Sequence, residues 1–230
     1  MLTKNKKIPI LVLTSDKCYQ NKENKKNFIE TDSLSGDDPY SASKACQEIV
    51  CNSLRKSYKL KIATARAGNV IGGCDFTKHR IIADIMSSIF LKRKINIRNP
   101  NATRPWQHVL EINANYLKFL KNFYSKPLLA SAWNFGPKKS YKVKDIINFY
   151  LKKKQFKYSI KKYKINEKIN LGLSSLKLER KLKIKNNMTL KNILENTYRW
   201  YEKLFNDPKN IYKFSIQQVN NAIHEFRLHK

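Results

Sequence analysis

Apolar and polar positions along the chain alternate between a strand-like and a helix-like rhythm. Ile8 to Thr14 is a continuous apolar run rich in branched side chains, which predicts a strand buried on both faces of a parallel sheet. After a polar, Lys-rich loop, Asp37, Asp38 and Pro39 open a helical pattern from about Tyr40 to Tyr58. Ala42, Ala45, Ile49 and Leu54 are expected on its inward face. Lys61 to Arg66 predicts a second strand, ending in a loop from Ala67 to Gly73 whose glycines permit positive φ and close approach of a ligand. Further on, helices are expected over 81–92, 111–124, 143–151, 174–182, 189–205 and 215–228, with strands over 94–97, 132–135 and 158–161. Thr189 suits an N-cap and Trp200 a packing position.

Strand, helix and strand in succession imply α/β architecture, with chemistry at the carboxyl ends of the strands. At 230 residues and 41% hydrophobic content the chain can bury a core, which excludes a disordered protein or a short disulfide scaffold. The longest apolar run, Ile8 to Leu13, falls far short of the roughly 18 residues of a membrane span and is too short for a secretory core. Cys18, Cys46, Cys51 and Cys74 form no C-x-x-C pair, and the four histidines are scattered, so the reading is free thiols in a reducing cytoplasm and no metal site.

The net charge of +30 suggests polyanion binding at first sight. The excess, however, is 38 Lys beside 9 Arg, in company with 24 Asn and 23 Ile, residues that share A- and T-rich codons. Phosphate and base recognition leans on Arg, and this Lys is dispersed, so composition drift rather than specific nucleic-acid recognition accounts for it. The field still attracts small anions.

The candidate chemistry starts at Tyr40 and Lys44. Their spacing of four places phenol and ammonium on one helix face, and a neighbouring cation favours the phenolate, so Tyr40 can serve as a base. Upstream, the first strand ends in Thr14-Ser15-Asp16-Lys17, delivering a hydroxyl, an acid and an amine. Four blocks, TSDKCY at 14–19, DPYSASKACQE at 38–48, ARAGNVIGG at 65–73 and IRNPNATRPWQHVLE at 97–111, together resemble the extended short-chain dehydrogenase/reductase family of nucleotide-sugar dehydratases and epimerases. Within it, Lys17 and the RNPNATRPWQHV block bring the chain nearest the CDP-glucose 4,6-dehydratase branch.

The resemblance implies a Rossmann-like doubly wound parallel sheet, here incomplete, with a smaller α/β substrate-binding lobe. Residues 1–75 would be the C-terminal part of the NAD-binding domain and 76–230 mainly the lobe, returning to the sheet near 108–136. It implies NAD as a bound shuttle, with Ser15, Asp16, Lys17, Tyr40 and Lys44 catalytic, and Tyr40, Lys44, Ala67 and Val70 against the cofactor. Asn69, Arg80, Arg98 and Arg104 would hold the nucleotide sugar, Arg104 on the diphosphate. Relatives that act on dTDP-glucose carry Asp-Glu where this chain has Asp16-Lys17, so Lys17 would replace Glu as the base at C5. An amine serves only when neutral, which requires burial and repulsion from Lys44 and the oxidised nicotinamide.

One family feature is absent from this sequence, the Gly-x-x-Gly-x-x-Gly turn whose backbone N–H groups receive the dinucleotide pyrophosphate. The expectation is a chain starting about three β-α units late, with an exposed edge at the first strand and no activity alone. A separately encoded N-terminal half would complete it, and a homodimer is a further expected partnership. Competing readings are a non-catalytic nucleotide-sugar or polyanion binder using Arg104, and an epimerase. His108 and Trp106 read as structural.

Overall fold

The computed structural model describes residues 8–24, 27–160 and 168–228. Its centre is a parallel sheet of β1 (Ile10–Ser15), β2 (Ile62–Ala67) and β7 (Ala132–Phe135), in the order β1-β2-β7. The helix α1 (Pro39–Tyr58) joins β1 to β2, and β3 (Asn69–Ile71) follows β2 almost directly. Then come α2 (Ile81–Leu91), β4 (Ile95–Ile97), β5 (Thr103–Arg104), β6 (Trp106–His108) and α3 (Val109–Ser125), which leads to β7. After β7 lie β8 (Tyr141–Lys142), α4 (Val143–Lys153), β9 (Tyr158–Ile160), α5 (Leu176–Leu182), α6 (Leu190–Asn206) and α7 (Ile211–Glu225). The pairs β3–β6 and β4–β9 are parallel, and β5–β8 is antiparallel. The fold is therefore mixed α/β built on parallel strands, as expected.

There are two main apolar cores, one against the central sheet and one among the helices that follow it. In one, Ala63 and Ala65 of β2 lie under Trp133 and Phe135 of β7, with Phe119 of α3 meeting their rings at 5.3 and 5.7 Å. Alanines suit β2 because the facing positions are filled by rings, and each ring buried this way contributes about 2–3 kcal/mol. In the other, Ile85 and Ile89 of α2, Ile146 and Tyr150 of α4, and Leu194 and Tyr201 of α6 pack together.

Several expectations need correction. β1 is not buried on both faces: Leu13 is 49% exposed, and among the described residues the strand pairs only with β2. On α1, Ile49 is 59% exposed, and the inward stripe is Ser41, Ala45, Glu48 and Cys51. The glycines after β2 adopt no positive φ, and a Cβ at Gly68 or Gly73 would lie 2.4 Å from Pro105 or 2.1 Å from Trp200. Their close approach is to the chain's own side chains rather than to a ligand, and the left-handed backbone falls instead on Cys74 and His79. The last helix starts at Ile211 rather than Ser215, and the end of the expected strand at Lys161 lies outside the described residues.

The inward Glu48 explains the shifted stripe. Its carboxylate accepts hydrogen bonds from Thr14 of β1 at 2.6 Å, Thr64 of β2 at 2.7 Å and Arg66 of β2 at 2.8 Å. Arg66 also donates to the Tyr19 hydroxyl at 2.8 Å and the Glu30 carbonyl at 3.1 Å, and Tyr19 donates on to Asn134 of β7 at 2.6 Å. Burial alone would raise the Glu48 carboxyl, but the Arg66 hydrogen bond and charge, with both threonines, hold it below its usual range.

Removing one member of such a pair leaves the other charge buried and unmatched. Glu48→Ala is expected to lose about 3–5 kcal/mol in urea unfolding, whereas Glu48→Leu with Arg66→Met recovers most of that loss. Equal stability of the single variant and the parent would show that the pair carries no such constraint.

Candidate active site

β1 does not continue past Ser15. The Ser15 hydroxyl accepts from the Lys17 amide at 3.2 Å and starts a single 3-10 turn, Asp16–Cys18. Successive side chains in such a turn diverge by about 120°, so neighbours in sequence enter different environments. Asp16 points into the protein, 3% exposed, while Lys17 points outward and is exposed. Across from the turn, Asp38 caps α1 by accepting from the Tyr40 and Ser41 amides, both at 3.0 Å, with Pro39 in the first turn. This fixes the first turn of α1 and stands Tyr40 at its mouth, 51% exposed.

The two elements meet at the Tyr40 ring. Lys17 Nζ lies 5.6 Å from the ring centroid and Lys44 Nζ 5.8 Å from it. Ser15, Asp16, Lys17, Tyr40 and Lys44 therefore share one locality. The Ser15 hydroxyl donates to Asp16 at 3.0 Å rather than reaching Tyr40. Hydrogen bonds from the Ser41 hydroxyl and amide, with the Lys17 charge in support, hold Asp38 below the usual carboxylate range.

Asp16 is the most perturbed of these groups. Burial pushes its carboxyl from 3.8 up to about 6, against the Ser15 hydrogen bond and the charges of Arg104 and Lys17, which pull it down. Its Oδ2 is buried and has no partner among the described residues. An acid so placed can carry a proton near neutral pH and has one oxygen free to meet an incoming hydroxyl. Lys17, by contrast, is exposed, and both Asp16 and Asp38 lie within its electrostatic reach.

The remaining candidates divide into two groups. Ala67 stands opposite Ser15 in the β1–β2 register. Asn69 and Val70 follow on β3, where the Asn69 amide donates to the Pro105 carbonyl at 3.1 Å, bringing that strand beside Arg104. Arg104 is 7% exposed, and its Nη1 donates to the carbonyls of Thr103 and Ile169 at 2.8 and 3.2 Å. A guanidinium so enclosed cannot serve a polymeric anion, which removes the polyanion reading based on it. Arg80 and Arg98 gather elsewhere, Arg80 on Asp75 at 3.4 Å and Arg98 on the His79 carbonyl at 3.1 Å. Trp106 is buried and donates to the Tyr141 carbonyl at 3.2 Å. His108 caps α3 through Nδ1, and burial lowers its pKa to about 4. All four cysteines are free thiols.

Asp38 was read only as part of the opening of α1, not as a neighbour of the site, and the Glu48–Arg66 network escaped the sequence reading. For Asp38 the signal was present, an acid directly before Pro-Tyr. For Glu48 and Arg66 no periodicity signal exists, because charged residues at inward positions read as surface.

With this geometry in view, the chain compares with known proteins as follows. The profile described as the NAD dependent epimerase/dehydratase family matches residues 1–131. CDP-glucose 4,6-dehydratase of Salmonella typhimurium is 40% identical over 139 residues, covering 56% of this chain and 39% of that protein. Two crystal structures, each 17% identical, share the fold. The dTDP-glucose 4,6-dehydratase of Bacillus anthracis in complex with NAD gives a TM-score of 0.73 over 85% of this chain and 62% of that one. The UDP-glucuronic acid 4-epimerase of Bacillus cereus, in complex with UDP-glucuronic acid and NAD, gives 0.76 over 84% and 61%. The chain thus spans less than two thirds of the length of each of these relatives.

The raised Asp16 carboxyl has a signed consequence. A group whose folded pKa lies above its unfolded value stabilises the fold fully below the unfolded pKa, and that contribution is lost as pH rises through the folded one. Between 3.8 and about 6 the protein therefore gives up stability that an amide would retain. Asp16→Asn is expected to be more stable than the parent by about 2–3 kcal/mol at pH 8, with the difference vanishing near pH 4, in urea titrations across that range. A pH-independent difference would refute the shift.

Proposed function

The chain belongs to the NAD dependent epimerase/dehydratase family, and on that premise we propose that it is the catalytic portion of a nucleotide-sugar 4,6-dehydratase acting on CDP-glucose. The observation that carries this reading is the meeting of Lys17 and Lys44 at the Tyr40 ring, with the buried Asp16, its carboxyl raised by burial, next to Lys17 in the chain. An epimerase has no elimination to perform and no need of that acid. The CDP-glucose assignment rests on the Salmonella relative and on Lys17 in place of Glu.

The donor set fits the nicotinamide end of NAD. Tyr40 and Lys44 make no side-chain hydrogen bond among the described residues, and Ala67 and Val70 follow the strand beside Ser15. Bound there, NAD would accept hydride from the sugar's C4 and return it once water has left. Tyr40 takes the proton of the 4-hydroxyl, its phenolate favoured by the Lys44 ammonium. Ser15 turns from Asp16 to that hydroxyl. Asp16, protonated in about a tenth of molecules at pH 7, passes its proton to the departing 6-hydroxyl. Lys17 receives the C5 proton, and because it is exposed in this chain, the bound sugar must supply the desolvation that frees its lone pair. Asn69 and Arg104 face the diphosphate, with Arg80 and Arg98 at the nucleotide.

Among the described residues no glycine-rich turn links a strand to a helix, so on this reading the pyrophosphate of NAD needs a glycine-rich β-α unit that these residues do not supply. The purified chain with NAD and CDP-glucose should yield no 4-keto product. Joined to a glycine-rich β-α unit, in one polypeptide or by co-expression, it should yield a 4-keto sugar lighter by one water. Tyr40→Phe should slow that conversion at least about 100-fold, and elimination should fall as pH rises through about 6. An epimerised sugar that has kept all its atoms would overturn the dehydratase reading.

A further inference from the structure

Away from this site, two basic runs that lie far apart in sequence converge. Lys92, Arg93 and Lys94 follow the end of α2, and Lys152, Lys153, Lys154 and Lys157 surround the end of α4. The parallel β4–β9 pair joins them: Ile95 is in register with Tyr158, and the Ile95 amide donates to the Lys157 carbonyl at 3.2 Å. Lys94 and Lys157 are therefore neighbours across the ladder. The Ser88 hydroxyl of α2 also donates to the Lys157 carbonyl, at 3.2 Å, which ties the two helix ends together.

All seven cations are exposed. Among the described residues only Lys153 of the seven has a carboxylate partner, Glu195 at 2.6 Å. No acidic residue occurs between Asp84 and Glu111 or between Asp145 and Glu167. A helix C-terminus attracts cations, and two such ends meet here, but each carries only about half a negative charge. Six unpaired cations exceed what about one negative charge requires. The surplus is local, produced by topology rather than by composition alone.

We propose that this face, formed by Lys92, Arg93, Lys94, Lys152, Lys154 and Lys157, is a sequence-independent binding site for a single-stranded polynucleotide. Lysine serves here as a point charge for phosphate, without the bidentate fork that reads bases. Tyr158, 39% exposed on the same ladder, is held at 5.8 Å from Phe156 and offers a stacking surface of the kind single strands use. A membrane surface fits less well, because α2 and α4 have already committed their apolar faces to the core through Ile85, Ile89, Ile146 and Tyr150. The site is independent of the dehydratase reading and shares no residue with it.

The test must separate a local site from the diffuse field of a +30 protein. Binding of the full chain to a fluorescent oligo(U) is followed by anisotropy over a range of salt. Arg93→Gln, Lys94→Gln and Lys157→Gln together should weaken binding at least about tenfold and reduce the slope of log K against log salt by about 2. Lys56→Gln, Lys209→Gln and Lys213→Gln remove the same charge from α1, the 3-10 turn before α7 and α7 itself, and should cost less than about threefold. Tyr158→Ala should weaken binding about tenfold with thermal unfolding unchanged. Equal losses in the two triple variants would overturn the site. So would preference for phosphatidylserine vesicles over oligo(U).

Discussion

The contact on which the rest depends is the buried pair of Glu48 and Arg66. One oxygen of Glu48 takes Thr14 from β1, and the other takes Thr64 and Arg66 from β2. A single carboxylate thereby ties the middle of α1 to both strands that flank it. Apolar packing between α1 and the sheet is thin at that level, since Ala45 and Cys51 are the nearest buried apolar residues on the helix. Non-directional packing would let the helix slide or rotate, but three short charge-assisted hydrogen bonds do not.

That restriction matters because each half of the candidate site belongs to a different element. Lys44 and Tyr40 lie one and two turns before Glu48 on α1, and Asp16 and Lys17 lie in the 3-10 turn that follows Thr14 and Ser15 at the end of β1. Locking Glu48 to Thr14 sets how far along the strand the helix sits, and hence that Lys17 reaches the Tyr40 ring. Arg66 extends the same control to the far edge of the sheet, through Tyr19 to Asn134, whose amide group donates to the carbonyls of Phe28 and Ser174. The segment after the 3-10 turn is thus pinned by groups that lie outside the candidate site.

Much of this was legible in the sequence, and the failures have a common cause. The helix from Pro39 to Tyr58 announces itself through Asp38, Pro39 and a helical rhythm, and β2 and β7 through short branched or aromatic runs bounded by turns. Tyr40, Lys44 and the Ser-Asp-Lys end of β1 were found because motif spacing records chemistry directly. What stayed hidden was the polar interior. Hydrophobic periodicity assigns Glu48 to solvent and Ile49 to the core, and the structure reverses both because Glu48 is satisfied on every side. The strands β3, β5, β6 and β8, two or three residues each, are too short to show a period of two. Whether Lys17 is buried was likewise invisible, since it depends on the direction in which one turn faces.

That turn produces an asymmetry that strand geometry would not have given. Had β1 run on through Asp16 and Lys17, their side chains would have pointed to opposite faces of the sheet, and one of them would have left the site. The 3-10 turn begun by Ser15 keeps both beside α1 yet sends Asp16 inward and Lys17 to solvent. Two ionisable groups adjacent in sequence are thereby placed in opposite dielectric surroundings. Burial raises the Asp16 carboxyl against the Ser15 hydrogen bond and the charges of Arg104 and Lys17, while the Lys17 amine is exposed within electrostatic reach of Asp16 and Asp38. One turn of backbone thus gives adjacent residues opposite solvation, a contrast that neither strand geometry nor motif spacing supplies by itself.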